Sequence, residues 1–481
     1  MIKKRAGNGR SKSGCRTCRI RRVKCGEEKP ACHKCKATGR SCEWFDENAT
    51  TTAAEPSSCS ALVLRRSPSE FAELKYLELR AFEFFCTRTA PEILGFFNSS
   101  FWETLTLRLS RSEPAVLHAA IALGALHQSE EEKGMDISRE RPTDSNHSVA
   151  LRQYNVAIAT HLRAGLKILD ENKSRNGTAS FGQDGDDQSA DSVMAMAFSR
   201  LDLQAAHFGM GIPATHYAIS DAERGVQQLS NNGFESLAQA KARCDTLMGS
   251  TFHFLARCRP PGSPRALEMP EVVYEWRRVL ALHSNYMNAL DNFLKRPDKV
   301  RNKKDCQGII LLRMHILTTY TLVAVCLAEN EEEAFDQQIA EFKRIVSLAD
   351  EFLSSFGDTN SQELRLPSLS TDWGIIPPLT VTAMKCRDPY IRRKALSILA
   401  SWPHREGFWD SSLAMKFGLQ IVELEEKPIQ VGGIEGSPHA ARMANVSLEL
   451  GEDQHYGIMK WQRLEPGLAK GRVKESCLMH L

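Results

Sequence analysis

The sequence predicts two folded parts of different class: a small cysteine-stapled module with two short helices, and a large all-α domain, separated by a disordered linker and followed by a disordered tail. Three observations support this. Six of the 14 cysteines fall at regular intervals within the first 45 residues. From residue 67 to residue 426 apolar residues recur at helical spacing, with almost no alternating strand pattern. Composition shifts abruptly on either side of that stretch.

The chain has 481 residues, 42% hydrophobic and 25% charged, which suits two or three globular domains. Its uninterrupted apolar runs, such as Ile309 to Leu312 and Leu322 to Leu327, fall far short of the roughly 20 residues that span a bilayer. No transmembrane segment and no membrane partner are therefore expected. The first ten residues are basic but lack the apolar stretch of a secretory signal, so the chain is expected to be intracellular. In that setting a dense cysteine set reads as metal ligands rather than disulfides.

Charge is distributed unevenly. Residues 1–45 hold 14 Lys and Arg against 3 Asp and Glu, a balance of +11, while the remainder carries −8. Even after six thiolates and two dications are counted, the N-terminal segment keeps +9, enough to bind a phosphate backbone by counterion release.

Taken in order, residues 1–12 form a basic arm and residues 13–45 the cysteine module. Residues 46–66 are small, polar and aperiodic, a flexible linker. At Ser67 to Glu70 a capping-box pattern precedes Phe71, Leu74, Leu77, Ala81 and Phe85, which share one helix face and open the all-α domain of 67–426. Further helices are expected at Glu113 to Gln128, Val149 to Asp170, Ser192 to Phe208, Phe234 to Cys258, Pro270 to Arg296, Gly308 to Ala328, Glu331 to Ser354 and Pro389 to Ser401. Segments 129–147 and 171–191 are polar and read as surface loops. Residues 427–481 turn Gly-rich without a clear period and read as a poorly ordered tail.

Cys15, Cys18, Cys25, Cys32, Cys35 and Cys42 form the pattern C-x2-C-x6-C-x6-C-x2-C-x6-C, two identical halves. Thiolates at such spacing select Zn²⁺ in tetrahedral geometry. Two separate four-thiolate sites need eight ligands, but six suffice when two bridge both metals, so two zinc ions are expected. The Cys-x2-Cys pair opens a short helix carrying Arg19, Arg21, Arg22 and Lys24 outward. His33 lies between ligands, and six thiolates already complete both metals, so it reads as a surface residue.

The stretch from Gly14 to Cys25 (GCRTCRIRRVKC), with Lys29 to Cys32 (KPAC), resembles the signature of the fungal Zn₂Cys₆ binuclear-cluster transcription factors. The resemblance implies that Cys15 and Cys32 bridge the metals, that Pro30 forms the loop joining the halves, and that the first helix enters the major groove at a CGG-type half-site. It further implies base contacts from Arg22, Arg21 and Lys24, with Arg22 foremost because arginine bonds guanine O6 and N7 in bidentate fashion. Arg16, Arg19, Lys34, Lys36 and Arg40 are then expected on phosphates, which position the module without reading sequence.

The segments Thr89 to Trp102, Glu113 to His127, Phe198 to Gly209, Cys386 to Leu399 and Arg405 to Asp410 resemble the helical regulatory region that follows many such clusters. One departure is that Tyr154 to Ile158 and His161 to Leu169 nearly abut, where such proteins carry a further long apolar helix. His118, His127, His207 and His216 come without a nucleophile elbow, a phosphate loop or an HExxH helix, and read as core or capping histidines, so no enzyme is expected. Cys59, Cys86, Cys244, Cys258, Cys306, Cys326, Cys386 and Cys477 show no paired spacing and read as ordinary thiols. The basic run Lys295 to Lys304 reads as a solvated loop, and no heptad pattern supports a coiled coil.

The expectation is a nuclear transcription regulator of the RNA polymerase II type. Its partner is double-stranded DNA, and a second copy or co-regulator proteins and an unidentified small effector act on the helical part. The competing reading is a zinc-stapled interaction factor without sequence-specific DNA binding. A third, an enzyme with a DNA-binding appendage, would need a pocket of convergent, perturbed polar groups.

Overall fold

The computed structural model describes residues 15, 17–18, 23–39, 42, 76–93, 95–97, 99–133, 190–207, 212–215, 219–227, 233–258, 269–296, 302–357, 366–407, 409–426, 430–431, 434–435, 442–450, 456–464 and 472–480. The chain divides into two units, Met1–Arg66 and Ser67–Leu481. In the first, a single turn of helix, α1 (His33–Lys36), follows Cys32, and Thr17 and Cys18 are helical. The expected 46–66 linker, the 67–70 capping box and the Val149 to Asp170 helix lie outside the described residues.

The described residues of the second unit up to residue 426 are mostly helical, as the apolar spacing predicts. Helix α2 (Tyr76–Phe84) runs through a π turn into α3 (Ala90–Ile93), and a second π turn leads into α4 (Thr106–Leu109). Helix α5 (Pro114–Lys133) crosses α2 closely. Gly124 permits this, since a Cβ there would lie 2.3 Å from the Ala81 carbonyl oxygen. Ala81, Phe82, Phe85, Leu117, Ala120 and Ile121 fill that junction.

Next come α6 (Ala190–His207), α7 (Ile219–Gln227), α8 (Leu237–Cys258), α9 (Pro270–Leu294), α10 (Lys303–Val325), α11 (Glu331–Ala334) and α12 (Ile339–Ser354). Helix α10 is apolar on all sides and therefore has to lie in a core. By length and a mean hydropathy of 1.6 it would match a bilayer span, but 78% of that stretch is buried within the unit, against α8, α9, α12 and α13. Asn302 caps it by accepting from the Asp305 N–H at 2.8 Å. The amphipathic α12 turns Phe342, Ile345, Val346, Ala349 and Phe352 onto the same core.

Helices α13 (Ile376–Lys385), α14 (Pro389–Ser401) and α15 (Ser411–Glu426) form the C-terminal helical layer. Pro389 at the first position and Asp388, accepting from the N–H groups of Tyr390 (3.0 Å) and Ile391 (2.9 Å), start α14. Between these helices β1 (Leu369–Ser370) pairs parallel with β2 (Arg405–Glu406), which pairs antiparallel with β3 (Trp409–Asp410).

Past Glu426, where a poorly ordered tail is expected, some residues are described and form strands. After the short β4 (Gln430–Val431) and β5 (Ile434–Glu435), an antiparallel sheet forms from β6 (Ala444–Leu450), β7 (Tyr456–Leu464) and β8 (Arg472–His480), in the order β6-β7-β8. Alternate residues explain it: Met459 and Trp461 turn inward with Met443, against Ile421, Phe417 and Leu424, while Ile458 and Lys460 face outward. The expected 129–147 loop is shortened at its start, because α5 continues to Lys133.

Of the four histidines singled out in sequence, His127 is buried and bonds Thr89 Oγ1 (3.1 Å) and Ser368 Oγ (2.8 Å). His207 is partly buried, with its ring nitrogens shut from solvent among Phe252, Trp373 and Trp409, His118 is exposed, and His216 is outside the described residues. Burial pulls His207 and His283 down to about 4 from the usual 6.5, and His315, which also faces His207 and Lys241, well below it. These rings stay neutral when folded and gain a proton when unfolded. Stability should therefore be full above pH 6.5 and fall between about 6.5 and 4, by up to about 3 kcal/mol for each of His207 and His283. Urea midpoints across that window measure it, and a flat profile would contradict it.

Candidate metal centre

Four thiols meet in the first unit. The sulfurs of Cys15, Cys18, Cys32 and Cys35 all lie within 4.8 Å of one another and are buried. The separations are 3.8 Å for Cys15 to Cys32, 3.8 Å for Cys15 to Cys35, 3.6 Å for Cys18 to Cys32 and 3.9 Å for Cys18 to Cys35. Thiolates arranged tetrahedrally at a Zn–S distance of about 2.3 Å sit about 3.8 Å apart, so the donor set fits zinc in both chemistry and spacing. The halves meet as the spacing demands: each Cys-x2-Cys pair is brought round on a helical turn, and the two pairs face one another.

The remaining two cysteines border this group. Cys25 is buried, and its sulfur accepts from the N–H groups of Cys15 and Glu27, each at 3.4 Å. Cys42 is partly buried against the cluster and accepts from the Cys32 N–H at 3.2 Å. Backbone donors aimed at sulfur stabilise thiolate and fix its direction.

The unit around these thiols is thin, yet the sulfurs are shut off from water. Burial opposes the thiolate at Cys18, Cys32 and Cys35. At Cys32 that opposition is outweighed by the Cys35 N–H and by neighbouring thiols, which draw it down to about 6. Burial and the same neighbours push Cys35 up to about 12 and Cys18 up as well. A bound dication would favour the ionised form of Cys18 and Cys35 against that burial.

Of the expected DNA-facing residues, Lys24, Lys34 and Lys36 are described and exposed, the last two on α1. Arg16, Arg19, Arg21, Arg22 and Arg40 lie outside the described residues. Pro30 is exposed in the segment between the halves and follows a cis peptide bond. His33 is exposed, its backbone N–H held by Glu28 at 3.0 Å, consistent with a surface position.

In the second unit, sequence reading left two buried polar sites without a role, although both begin within segments that it quoted. Glu406 accepts from the backbone N–H groups of Gly374 (3.1 Å), Ile375 (2.8 Å) and Ile376 (3.0 Å), and from His404 Nε2 at 2.7 Å. Glu425 receives Arg387 (2.7 Å) and Arg392 (2.9 Å), and Glu332 receives Arg387 and Lys385. Both are structural knots, one at the N-terminus of α13 and the other tying α11, α13, α14 and α15 together.

Comparison with known proteins agrees with the first unit. Residues 13–52 match the fungal Zn(2)-Cys(6) binuclear cluster domain. The chain is 23% identical to the aspercryptin biosynthesis cluster-specific transcription regulator atnN of Emericella nidulans, over 87% of this chain and 88% of that protein. That alignment spans 566 positions, more than the chain's own 481 residues, so the relative has segments with no counterpart here. The chain is 35% identical to the Zn(2)-C6 fungal-type transcription factor afumD of Aspergillus fumigatus over 26% of this chain and 34% of that one. It is 48% identical to the transcription factor lfc1 of Flammulina velutipes over 9% and 16%. No solved structure matches the chain. With six cysteines at this spacing, four of them closed to tetrahedral distances, the N-terminal unit belongs to the fungal Zn(2)-Cys(6) binuclear cluster family and binds two zinc ions.

Proposed function

We propose that the chain is a sequence-specific DNA-binding transcription regulator of the RNA polymerase II type, acting in the nucleus on CGG-like half-sites. The observation that carries this reading is the juxtaposition of a closed thiol cluster with a segment of balance +11, whose described lysines Lys24, Lys29, Lys34 and Lys36 are all exposed. Its relatives are transcription regulators, which supports the class. Zinc would supply the fold here rather than chemistry, held by Cys15, Cys18, Cys25, Cys32, Cys35 and Cys42, and the helix after Cys15 enters the major groove. Arg22 reads guanine, Arg21 and Lys24 add base contacts, and Arg16, Arg19, Lys34, Lys36 and Arg40 hold phosphates. Lys3, Lys4 and Arg5 serve nuclear import. The helical unit carries regulation, through a second copy, co-regulators or a small effector, and is assigned no catalytic residue.

Selection of bound sites from a random duplex library, with the zinc-loaded full chain at physiological salt, tests the reading. Enrichment of a CGG-containing motif is expected. Two bound zincs with no enriched motif would overturn it in favour of a zinc-stapled interaction factor. Arg22→Ala should keep both zincs and lose about 1 to 3 kcal/mol of discrimination at one base position. Lys36→Ala should weaken binding to all sequences equally and lower the salt slope by about 1. Titrations of matched and mismatched duplexes separate the two effects.

A further inference from the structure

The sequence spacing of the eight cysteines outside the cluster gives no pair, but the fold makes one. Cys258 ends α8 and Cys326 caps the C-terminus of α10, 68 residues later, and the Cys326 thiol donates to Cys258 Sγ at 4.0 Å. The approach is fixed by packing. α8 and α10 lie directly against each other, and Phe254, Val279, Val323 and Leu327 surround the sulfurs. Trp276 on α9 donates to the Val323 carbonyl at 2.8 Å, which pins the end of α10 beside them. Cys258 is partly exposed and Cys326 is buried.

We propose that Cys258 and Cys326 form a reversible disulfide that clasps the C-terminal ends of α8 and α10, with a low-molecular-weight disulfide such as oxidised glutathione as oxidant. The accessible Cys258 thiolate attacks one sulfur of that disulfide. The S–S bond breaks and one small thiolate leaves with the proton that Cys258 gave up. Cys326 then loses its proton and attacks Cys258 Sγ, forming the protein disulfide and expelling the second small thiol. Two protein thiols are oxidised and one small disulfide is reduced to two thiols. The sulfurs have about 2 Å to close from 4.0 Å to bonding distance. Both thiols also sit at helix C-termini, where the dipole disfavours thiolate, and weakly acidic thiols make the more stable disulfide.

The test uses the zinc-loaded full chain, reduced and then exposed while folded to oxidised glutathione, raised until the exposed Cys306 carries glutathione. Free thiols are then alkylated and the digest is read by mass spectrometry. A linked peptide pair containing Cys258 and Cys326 is expected, two hydrogens lighter than its parts. The melting temperature of the wild type should rise by several degrees on oxidation and stay unchanged in Cys258→Ser. Recovery of Cys258 with glutathione attached and Cys326 alkylated, or of both alkylated, would overturn the proposal. So would an equal melting shift in Cys258→Ser.

Discussion

Cys18→Ala should leave the N-terminal unit unfolded while the helical unit melts unchanged. Zinc binding and folding of such a module are a single free energy, about 10 to 16 kcal/mol for a structural zinc at neutral pH, because no site exists in the unfolded chain. Cys18 lies within hydrogen-bond distance of Cys32 and Cys35 across the cluster, so removing its sulfur opens the tetrahedron at its centre. A strong chelator should have the same effect on the wild type, releasing both zincs and exposing six reactive thiols. Zinc stoichiometry, thiol titration and limited proteolysis of the full chain measure the outcome. A Cys18→Ala protein that keeps two zincs and a protease-resistant N-terminal unit would show that this thiol is no ligand.

The second large effect is expected at Glu406. Its side chain is 2% exposed and its carboxylate satisfies three successive backbone N–H groups at the start of α13, along with His404. Glu406→Ala would strand all four donors out of reach of water, at a cost of about 3 to 5 kcal/mol, a large part of a domain's ordinary stability. Chemical denaturation of the second unit, followed by far-UV circular dichroism, reads this directly. A loss below about 1 kcal/mol would mean that water or a rearranged loop takes the carboxylate's place. Glu406→Gln should fall between, since an amide oxygen accepts but its NH₂ opposes the remaining N–H groups.

Much of this architecture was legible because it depends on local spacing. Repetition of the Cys-x2-Cys-x6-Cys half gives the metal centre outright, and the apolar stripe of α14 fixes both its ends, while that of α12 fixes its end at Ser354 but not its start. What escaped the sequence was set by tertiary contact or concealed by composition. The paired Pro377 and Pro378 hide α13, although prolines are tolerated in a first turn. Nine-residue α7 is too short for a persuasive period. In β6 Val446, Leu448 and Leu450 do alternate with Ser447 and Glu449, but the run is only seven residues long. Glu406 and Glu425 look like any other acidic residues until the chain brings most of their donors from 30 or more residues away. Proximity of Cys258 and Cys326 depends on α8 and α10 packing together, which no spacing rule encodes.

The C-terminal sheet changes where this protein can be cut. Judged by patterning alone, Glu426 would be a natural place to stop the domain. Arg442, however, donates to the Glu332 carbonyl and to Asp336, and the Met443 N–H donates to Glu425, so the segment past 426 supplies donors to the buried charge knot. Met459 and Trp461 cover Ile421, Phe417 and Leu424. A chain ending at residue 426 would carry a greasy scar on α15 and an undersupplied carboxylate beside it. It should precipitate where the longer chain stays dispersed, so the working edge of the domain lies beyond β8.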